Sequence, residues 1–536
     1  MQPGSYIDAR TDAIDEPVEG SVCVIGAGAA GLTLVRRLAR KVPGVVLIES
    51  GGFELDGDTQ SLYASRMRGL AYFDLLTTRL RYFGGTTNHW SGYCRAVEAI
   101  DFESRPSVGL PGWPLEFAEL KPFIVEAAGE LGILDPFLGP PALLEALGIE
   151  SDGLVERSSR IFRSKILQIA KEENIRLGPR YRDEIGAIAN VKTYLNLNAV
   201  HIELAADGAS VDHVRCATLS GKQITVKARF FVLCCHAVEN ARLLLTSNNI
   251  EGSGIGNRFD HVGRYFMDHI LVPASKFIPS DAFPRIYNYD FAVAHSIFAY
   301  LGFVDRVVRE KGVLQYANRF VPVYADPETA AAYDRVHNDF LEPGDISFLQ
   351  DVATLATDLS AVSRYAAARR KLYFAKPLYY RVEHHLEQGP NPDSRLVISD
   401  RRDALGSLIA DLDWQLGEPD FRSLRIGQQM LEMELATLGW GRLMPEPITP
   451  EFVRSQATGL WHNIGTTRMS ATPSAGVVDP DCRVHGVANL YIGGSSIFPS
   501  AGAFSPTMMI IALASRLSEH LKHQLDSFSR IVATPG

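Results

Sequence analysis

Cysteine is scarce in this sequence: there are six in 536 residues, and no two of them form a CxxC pair. Cysteine and histidine do not cluster at the spacing of a zinc site either. The adjacent His384 and His385 would point to opposite faces of a strand, which disfavours joint metal ligation. We therefore predict a protein without a bound metal and without a disulfide framework.

Long apolar runs and basic stripes are also missing. No stretch reaches about 18 apolar residues, the length that a membrane-spanning helix needs. The polar, acidic N-terminus lacks the basic and apolar regions of a signal peptide. The formal net charge of -9 is spread along the chain, so that no basic patch is present for nucleic acid. The sequence thus predicts a cytoplasmic protein with neither a membrane nor a nucleic acid as partner.

The composition that remains is that of an ordinary globular protein, with 46% hydrophobic and 21% charged residues. The length exceeds that of one ordinary domain and favours two or more. Residues 21–25 form a β-branched run, residues 29–40 show the apolar period of a helix, and residues 45–48 form a second β run. This order predicts a βαβ unit and hence a doubly wound α/β sheet.

A GxGxxG motif, GAGAAG at residues 26–31, lies at the turn between the first strand and the helix. The first glycine allows the tight turn, the second lets the backbone approach a pyrophosphate, and the third lets the helix pack closely on the sheet. Glu49 ends the second strand, 21 residues after Gly28, where a carboxylate accepts hydrogen bonds from a ribose. Together these features predict a dinucleotide site, and the motif itself suits FAD and NAD equally.

The same alternation of strand and helix returns later in the chain. Residues 191–204, 211–218 and 223–226 are rich in strand formers, and residues 230–235 form the continuous apolar run of a buried parallel strand. The end of the chain repeats the pattern with a strand at 490–492, a Gly-Gly turn and a helix from Pro506. We predict a discontinuous dinucleotide-binding domain and a second, substrate-binding domain built on a sheet with helices. The predicted segments are 15–100, 190–270 and 455–536 for the first domain, and 100–190 and 270–455 for the second.

Three further blocks carry a recognisable signature: GGTTNHW at 84–90, HNIGTTRM at 462–469 and NLYIGGS at 489–495. With the glycine motif, and with supporting runs at 239–244, 262–269 and 387–395, the sequence resembles the glucose–methanol–choline (GMC) family of oxidoreductases over most of its length. It looks closest to the branch that contains pyranose 2-oxidase and glucoside 3-dehydrogenases. The reasons are the His-Trp pair after the double glycine and the Ser-Pro-Thr run after Gly502-Ala503-Phe504.

The resemblance implies FAD as the cofactor, bound in a Rossmann-type domain, and an enzyme that takes a hydride from an alcohol carbon. It also implies a set of residues that contact FAD. These are Gly26, Gly28, Ala29, Ala30, Gly31, Glu49, Ser50, Gly84, Gly85, Thr86, Asn88, His89, Trp90, Ala199, Val200, Gly494, Ser495, Ser505, Pro506 and Thr507.

The resemblance places His462 beside flavin N5, where a neutral imidazole can accept the alcohol proton as the hydride leaves. The family usually has a second His or Asn across the substrate oxygen, and that position here is Ser505. A hydroxyl can donate a hydrogen bond to the oxygen, but it cannot hold a proton at neutral pH. We therefore expect His462 to act alone or with a residue of the substrate domain, while Ser505 and Asn463 orient the substrate oxygen.

His89 matches the histidine that pyranose 2-oxidase and choline oxidase join covalently to the flavin 8α carbon. Related enzymes keep this histidine without the bond. Two interpretations therefore stay open from the sequence: a covalent link through His89, or a histidine packed against the dimethylbenzene edge of the flavin.

The sequence thus predicts an FAD-dependent dehydrogenase or oxidase that acts on a CH–OH group of a sugar, a glycoside or a similar polyhydroxylated molecule. Three alternatives remain: an oxidase of an apolar, aliphatic or sterol alcohol, a hydroxynitrile-lyase-like protein without net redox chemistry, and a non-enzymatic flavin-binding subunit. The electron acceptor is oxygen or another carrier, and the sequence decides neither this point nor the oligomeric state.

Overall fold

The computed structural model describes residues 6–151, 153–338, 346–370, 376–503 and 505–532. Within these ranges the chain forms two large β-sheets and a separate two-stranded sheet. The strands are β1 (Tyr6–Asp8), β2 (Val18–Ile25), β3 (Val45–Ile48), β4 (Tyr93–Cys94), β5 (Phe162–Ile169), β6 (Val191–Leu195), β7 (Asn198–Leu204), β8 (Val211–Ala217), β9 (Gln223–Leu233), β10 (His269–Pro279), β11 (Ile297–Phe303), β12 (Tyr316–Val323), β13 (Tyr379–Glu387), β14 (Arg395–Arg402), β15 (Leu408–Asp413), β16 (Gly441–Pro445) and β17 (Leu490–Ile492).

Helices surround the two large sheets. They are α1 (Ala29–Leu38), α2 (Gly57–Ser61), α3 (Ala99–Phe102), α4 (Phe117–Glu130), α5 (Pro140–Ala146), α6 (Glu172–Ile175), α7 (Leu177–Gly186), α8 (His236–Thr246), α9 (Tyr289–Ala294), α10 (Asp305–Lys311), α11 (Pro327–Asn338), α12 (Ile346–Thr357), α13 (Leu359–Arg369), α14 (Glu418–Thr437), α15 (Pro450–Gln456) and α16 (Pro506–Val532). Short 3-10 helices lie at Gly85–Asn88, Pro106–Val108, Val155–Arg157, Arg285–Tyr287 and Ser495–Ile497. None of the helices in the described part of the chain has the length and apolarity needed to cross a membrane.

The first sheet has the strand order β1-β6-β3-β2-β9-β8-β7, with β17 beside β9. Strands β1, β6, β3, β2, β9 and β17 run parallel, and β8 and β7 join antiparallel at one edge. All residues of β3 are buried, as expected for a parallel strand that is covered on both faces. Helix α1 packs against β2 and β3, and α16 packs against α1.

This sheet confirms the predicted doubly wound α/β fold. Strand β2, helix α1 and strand β3 form the predicted βαβ unit, although α1 ends at Leu38 rather than at residue 40. The runs predicted as separate strands at 223–226 and 230–235 form the single strand β9, because its first half pairs with β8 and its second half with β2 and β17. Strand β1 lies before the predicted segment 15–100.

The second sheet is antiparallel throughout and has the order β16-β10-β13-β12-β11-β5-β4. Strand β11, between β12 and β5, is buried along its whole length, and α14 packs against β13, β12 and β16. The second unit is therefore built on a sheet with helices, as predicted. Its edge strand β4, however, comes from the segment that the sequence assigned to the first domain.

The two sheets face each other across one large cavity. Gly26, Glu49 and Cys234, which follow β2, β3 and β9, line this cavity from the first sheet. The second sheet lines it through β11, β12 and β13. In doubly wound sheets ligands bind at this edge, outside the carboxyl ends of the parallel strands. The fold thus places a binding site between the two sheets.

Candidate active site

The cavity between the sheets has a volume of about 740 Å³, within the usual range of ligand sites. One end is formed by the glycine turn before α1 and by the residues that follow β3 and β9. The other end is formed by His462, Asn463, residues 505–507 and side chains of the second sheet. The dinucleotide motif and the C-terminal blocks therefore share a single cavity.

Glu49 is a buried carboxylate at the nucleotide end. Its Oε2 accepts a hydrogen bond from the backbone N–H of Ala27 at 2.8 Å, and its Oε1 accepts one from the N–H of Gly51 at 2.9 Å. Burial raises the pKa of Glu49 above its ordinary value. The two hydrogen bonds fix the carboxylate beside the glycine turn, in the position from which it can accept hydrogen bonds from a ribose.

The glycine turn leaves room for a phosphate at Gly28. Gly28 caps α1 without a side-chain hydrogen bond, and a Cβ placed on it would meet no atom within 4 Å. The first N–H groups of α1 therefore open onto the cavity, where they favour an anion. Gly31 instead allows α1 to pack closely on the glycine turn, because a Cβ at this residue would lie 1.9 Å from the carbonyl oxygen of Gly26. This arrangement fits the pyrophosphate of a dinucleotide.

Most residues predicted to contact the cofactor line this cavity. They are Gly26, Gly28, Ala29, Ala30, Glu49, Ser50, Gly85, Thr86, His89, Trp90, Ala199, Gly494, Ser495, Ser505, Pro506 and Thr507. Gly31, Gly84, Asn88 and Val200 do not line it. Val200 is the extra residue at an irregularity in the pairing of β7 with β8, between Ala199 and His201.

The side chain of Asn88 holds the double-glycine turn in place through hydrogen bonds and does not line the cavity. Its Nδ2 donates a hydrogen bond to the carbonyl oxygen of Phe83 at 2.9 Å, and its Oδ1 accepts one from the N–H of Gly178 at 3.1 Å. Trp90 is fixed in a similar way, because its Nε1 donates to the carbonyl oxygen of Ile175 at 2.9 Å. These bonds hold the loop that carries the exposed side chain of His89 at the cavity wall.

A buried ion cluster, not predicted from the sequence, lies beside the nucleotide end. Glu239 accepts hydrogen bonds from Arg79 at 2.9 Å and from Arg242 at 3.1 Å, and it lies 3.5 Å from Arg81. Burial disfavours the charged form of Glu239, but the three guanidinium groups outweigh burial and lower its pKa to about 2. Arg81 lines the cavity and donates to Ser50 Oγ at 2.8 Å. The cluster therefore brings a fixed positive group to the cavity.

His462, the predicted base, contacts a second histidine. Nδ1 of His462 lies 2.8 Å from Nδ1 of His269, and the two ring planes are nearly perpendicular, at 87°. Nε2 of His269 lies 3.0 Å from the carbonyl oxygen of Gly502. Burial lowers the pKa of His269 to about 4; burial, together with the neighbouring His269, lowers the pKa of His462 well below its ordinary value. Both rings are therefore neutral at pH 7.

Asp268 holds the backbones of both histidines. Its Oδ1 accepts hydrogen bonds from the N–H of His269 at 2.6 Å and from the N–H of His462 at 3.0 Å. Its Oδ2 accepts a hydrogen bond from the hydroxyl of Tyr72, whose oxygen accepts one from Asn463 Nδ2 at 2.8 Å. Burial raises the pKa of Asp268 to about 6, so that the carboxylate form that accepts these bonds still prevails at pH 7.

Asn463 and Ser505, predicted to orient the substrate oxygen, both line the cavity and are buried. Oδ1 of Asn463 has no hydrogen-bond partner among the described residues. The side-chain partner of His462 is His269 rather than Ser505. The sequence drew attention to residues 262–269 for the family resemblance, but no motif assigned a role to His269. The one signal in the sequence was Ser505, which stands where the family usually has a His or Asn and so pointed to a partner for His462 from the substrate domain.

Asp268, His269 and His462 have the composition of a metal site, with ligand atoms within 4.8 Å of one another. Both oxygens of Asp268 and both ring nitrogens of His269 already have hydrogen-bond partners, which a metal would displace. This geometry supports a hydrogen-bonded pair of histidines at this place. His384 points away from the cavity, and its Nε2 lies 2.9 Å from Ser275 Oγ.

Polar side chains of the second sheet form the wall opposite the nucleotide end. Tyr300 of β11, Arg319 of β12 and His385 of β13 line the cavity. Nε of Arg319 donates to Glu383 at 2.7 Å, which balances its charge. Nε2 of His385 is buried and has no hydrogen-bond partner in the described ranges. None of these residues was assigned a role from the sequence.

Several known oxidoreductases are similar to this chain. Residues 390–514 match the family model described as GMC oxidoreductase. The fructose dehydrogenase large subunit of Gluconobacter japonicus is 23% identical over 95% of this chain and 99% of its own. The 6'''-hydroxyparomomycin C oxidase of Streptomyces lividus is 24% identical over 94% of this chain and 91% of its own.

A solved structure of formate oxidase from Aspergillus oryzae RIB40 shares the fold, with a TM-score of 0.57 at 16% identity, over 96% of this chain and 100% of that one. The matched family region contains His462 and Asn463 as well as Ser505. The predicted resemblance is confirmed for this region: residues 390–514 carry the C-terminal region of the GMC oxidoreductases, which bind FAD and act on alcohol groups.

Proposed function

We propose that this enzyme oxidises a CH–OH group of a sugar, a glycoside or a similar polyhydroxylated molecule, with His462 as the general base. One observation carries the proposal: His462 lines the cavity and uses Nδ1 for His269, so that Nε2 is left without a partner among the described residues. When bound, FAD accepts the hydride that leaves the alcohol carbon. The side chains of the enzyme hold the alcohol and take its proton.

A neutral imidazole is required for the proton step. Burial lowers the pKa of His462 well below its ordinary value, so that the ring is unprotonated at neutral pH. The alcohol proton moves to Nε2 of His462, and the protonated ring keeps its hydrogen bond to Nδ1 of His269. General base catalysis of this kind contributes about 10²–10⁴-fold to a rate.

Several polar side chains at the His462 end of the cavity support a substrate with several hydroxyl groups. Near His462, Asn463 offers an unpartnered amide oxygen, and Ser505 offers a hydroxyl that can donate a hydrogen bond to the substrate oxygen. From the second sheet, Tyr300, Arg319 and His385 supply further polar groups at this end of the cavity. The name of one relative refers to fructose, a sugar. An apolar or sterol alcohol would leave Oδ1 of Asn463 and Nε2 of His385 without partners.

The nucleotide end would hold FAD through features already described. Gly28 and the first N–H groups of α1 would hold the pyrophosphate, Arg81 would add a positive charge, and Glu49 would accept a hydrogen bond from the ribose. His89 lies at the wall, where it either packs against the flavin or is joined to it. Acid precipitation of the wild type separates these two forms: flavin in the pellet indicates a covalent bond, and flavin in the supernatant indicates packing. His89→Ala cannot form the covalent bond, so after acid precipitation its flavin should be in the supernatant whichever form the wild type has.

The test of the proposed function is an anaerobic titration of the FAD-loaded protein, followed at the flavin band at about 450 nm. The panel contains sugars, glycosides, simple alcohols and an apolar sterol. Bleaching by a sugar or glycoside supports the proposal. If only the apolar sterol bleaches the flavin, the substrate is an apolar alcohol instead of a sugar. If no compound reduces the flavin but the protein turns over a cyanohydrin, the reaction is that of a lyase.

A further inference from the structure

We infer that His269 is a positioning residue that holds His462 in one tautomer, with the proton on Nδ1 and the lone pair on Nε2. This inference rests on the proposed role of His462 as the base. His269 does not line the cavity, whereas His462 does. His269 therefore acts on the reaction through His462 and not by touching the substrate.

The carbonyl oxygen of Gly502 determines the tautomer of His269. This oxygen lies 3.0 Å from Nε2 of His269 and can only accept a hydrogen bond. Nε2 of His269 must therefore carry a proton. Because burial keeps the ring of His269 neutral at pH 7, its other nitrogen, Nδ1, carries a lone pair.

The lone pair on His269 in turn determines the tautomer of His462. The two Nδ1 atoms are 2.8 Å apart, which is hydrogen-bond distance. One of the two atoms must donate, and Nδ1 of His269 cannot, so Nδ1 of His462 carries the proton. In a neutral imidazole the second nitrogen is then an acceptor. Nε2 of His462 therefore carries the lone pair that a general base needs.

The opposite arrangement would break the contact with Gly502 and would leave His462 without a lone pair on Nε2. If Nδ1 of His269 carried the proton, its Nε2 lone pair would face the lone pairs of the Gly502 carbonyl at 3.0 Å. His462 would then accept at Nδ1 and present an N–H from Nε2, which cannot take a proton from an alcohol. The second imidazole thus separates an active from an inactive form of the base.

The groups that determine the tautomer are themselves fixed. Asp268 Oδ1 accepts from the backbone N–H of both histidines, which holds the rings at their mutual angle. The N–H of Gly502 donates to Glu387 Oε1 at 3.1 Å, and Glu387 is paired with Arg105 at 2.8 Å. The carbonyl of Gly502 is therefore anchored to β13 of the second sheet, which supplies the orientation that the inference requires.

The experiment is a long-range 1H–15N correlation spectrum of the FAD-loaded protein labelled at histidine nitrogens. His462 and His269 are assigned by their absence in His462→Gln and His269→Phe. We expect His462 to show a protonated Nδ1 and an unprotonated Nε2, and His269 to show the reverse. A wild-type His462 with its proton on Nε2 would overturn the inference without any variant.

Two variants test the dependence on His269. His269→Phe keeps a ring but removes the acceptor, so that His462 should lose its preference for the Nδ1-protonated form. Flavin reduction by the sugar should then slow by about 10²-fold, the scale of general base catalysis. His269→Asp restores an acceptor and should restore the tautomer. His485→Phe, the same change at a half-buried histidine away from the cavity, should leave the His462 signals unchanged.

The outcomes separate this inference from the proposed function. If His462 keeps the Nδ1-protonated form in a folded His269→Phe protein, the positioning role is wrong. If the tautomers follow the expectation but no sugar reduces the flavin of the wild type, the proposed function fails and the hydrogen-bond relationship stands. If His269→Phe does not fold, the wild-type spectrum and His269→Asp still decide the question.

Discussion

His269 and His462 are 193 residues apart in the sequence, yet their Nδ1 atoms lie 2.8 Å from each other. The first residue of β10 supplies one imidazole, and the loop after α15 supplies the other. Asp268 joins the two segments through hydrogen bonds to both backbones. The end of the cavity that contains His462, the proposed base, is thus assembled from the second sheet and from the C-terminal GMC region together.

The role of His462 as a base predicts a large effect on the reaction and a small effect on the cofactor. His462→Gln removes the proton acceptor, and flavin reduction by the sugar should slow by about 10²–10⁴-fold. The flavin spectrum and the thermal midpoint should stay close to those of the wild type. His523→Gln, at an exposed position of α16, is the matched control. Reduction at the wild-type rate in His462→Gln would contradict the role.

Glu49 should determine the affinity for FAD. In Glu49→Gln the new amide group would place an N–H against the N–H of Ala27 or of Gly51, which now donate to the carboxylate. Hydrogen bonds to charged groups contribute about 1.5–3 kcal/mol, so the Kd for FAD should rise by at least about 10-fold. Fluorescence titration of the apoprotein measures this, with the exposed Glu54→Gln as control. Equal affinities would argue against the ribose contact.

Tyr72 should stabilise the loops that form the His462 end of the cavity. Tyr72→Phe removes the donor to Asp268 and the acceptor of Asn463 Nδ2, and leaves both partners buried. The free energy of unfolding should fall by about 1–3 kcal/mol, the cost of unsatisfied buried groups. Urea denaturation measures the change. Tyr379→Phe, at a partly exposed tyrosine of β13, should have little effect, and a Tyr72→Phe protein as stable as this control would refute the prediction.

His385 should contribute to substrate binding. Its ring lines the cavity wall, and its Nε2 has no hydrogen-bond partner within the described chain. His385→Leu keeps the volume and removes the polar group, so the apparent Kd for the sugar should rise by about 5-fold, which corresponds to about 1 kcal/mol. The limiting rate of flavin reduction should change much less. An unchanged Kd, equal to that of a His523→Leu control, would exclude the contact.

The buried His384 should make stability depend on pH. Burial lowers its pKa to about 3 from 6.5. Between pH 7 and pH 5 the unfolded chain therefore binds more protons at this residue than the folded chain, and stability decreases as the pH falls. In His384→Gln the loss of unfolding free energy between these two pH values should be smaller than in the wild type by about 2 kcal/mol. Urea denaturation at both pH values tests this, and the exposed His295→Gln should retain the wild-type difference.

Local patterns predicted the nucleotide end of the site. The glycine turn, the helix after it and Glu49 lie within one βαβ unit, so their spacing along the chain determines their spacing in space. The sequence alone also identified His462, Asn463 and Ser505, because they belong to blocks with a family signature. The residues that escaped prediction, among them His385, Arg319 and Tyr300, belong to no such block, and only their position on β13, β12 and β11 brings them to the cavity.

The sequence by itself thus determined the doubly wound fold, the dinucleotide turn and the resemblance to the GMC oxidoreductases, and it predicted His462 as the base. The tertiary structure decided which side chain contacts His462. That side chain is His269, whereas the family resemblance pointed to position 505, which is a serine. It also kept Asn88 and Val200 out of the cavity lining. The physical reason is range: a turn or a strand period is encoded by neighbours in the chain, whereas a hydrogen bond between rings 193 residues apart depends on how two sheets and their loops pack.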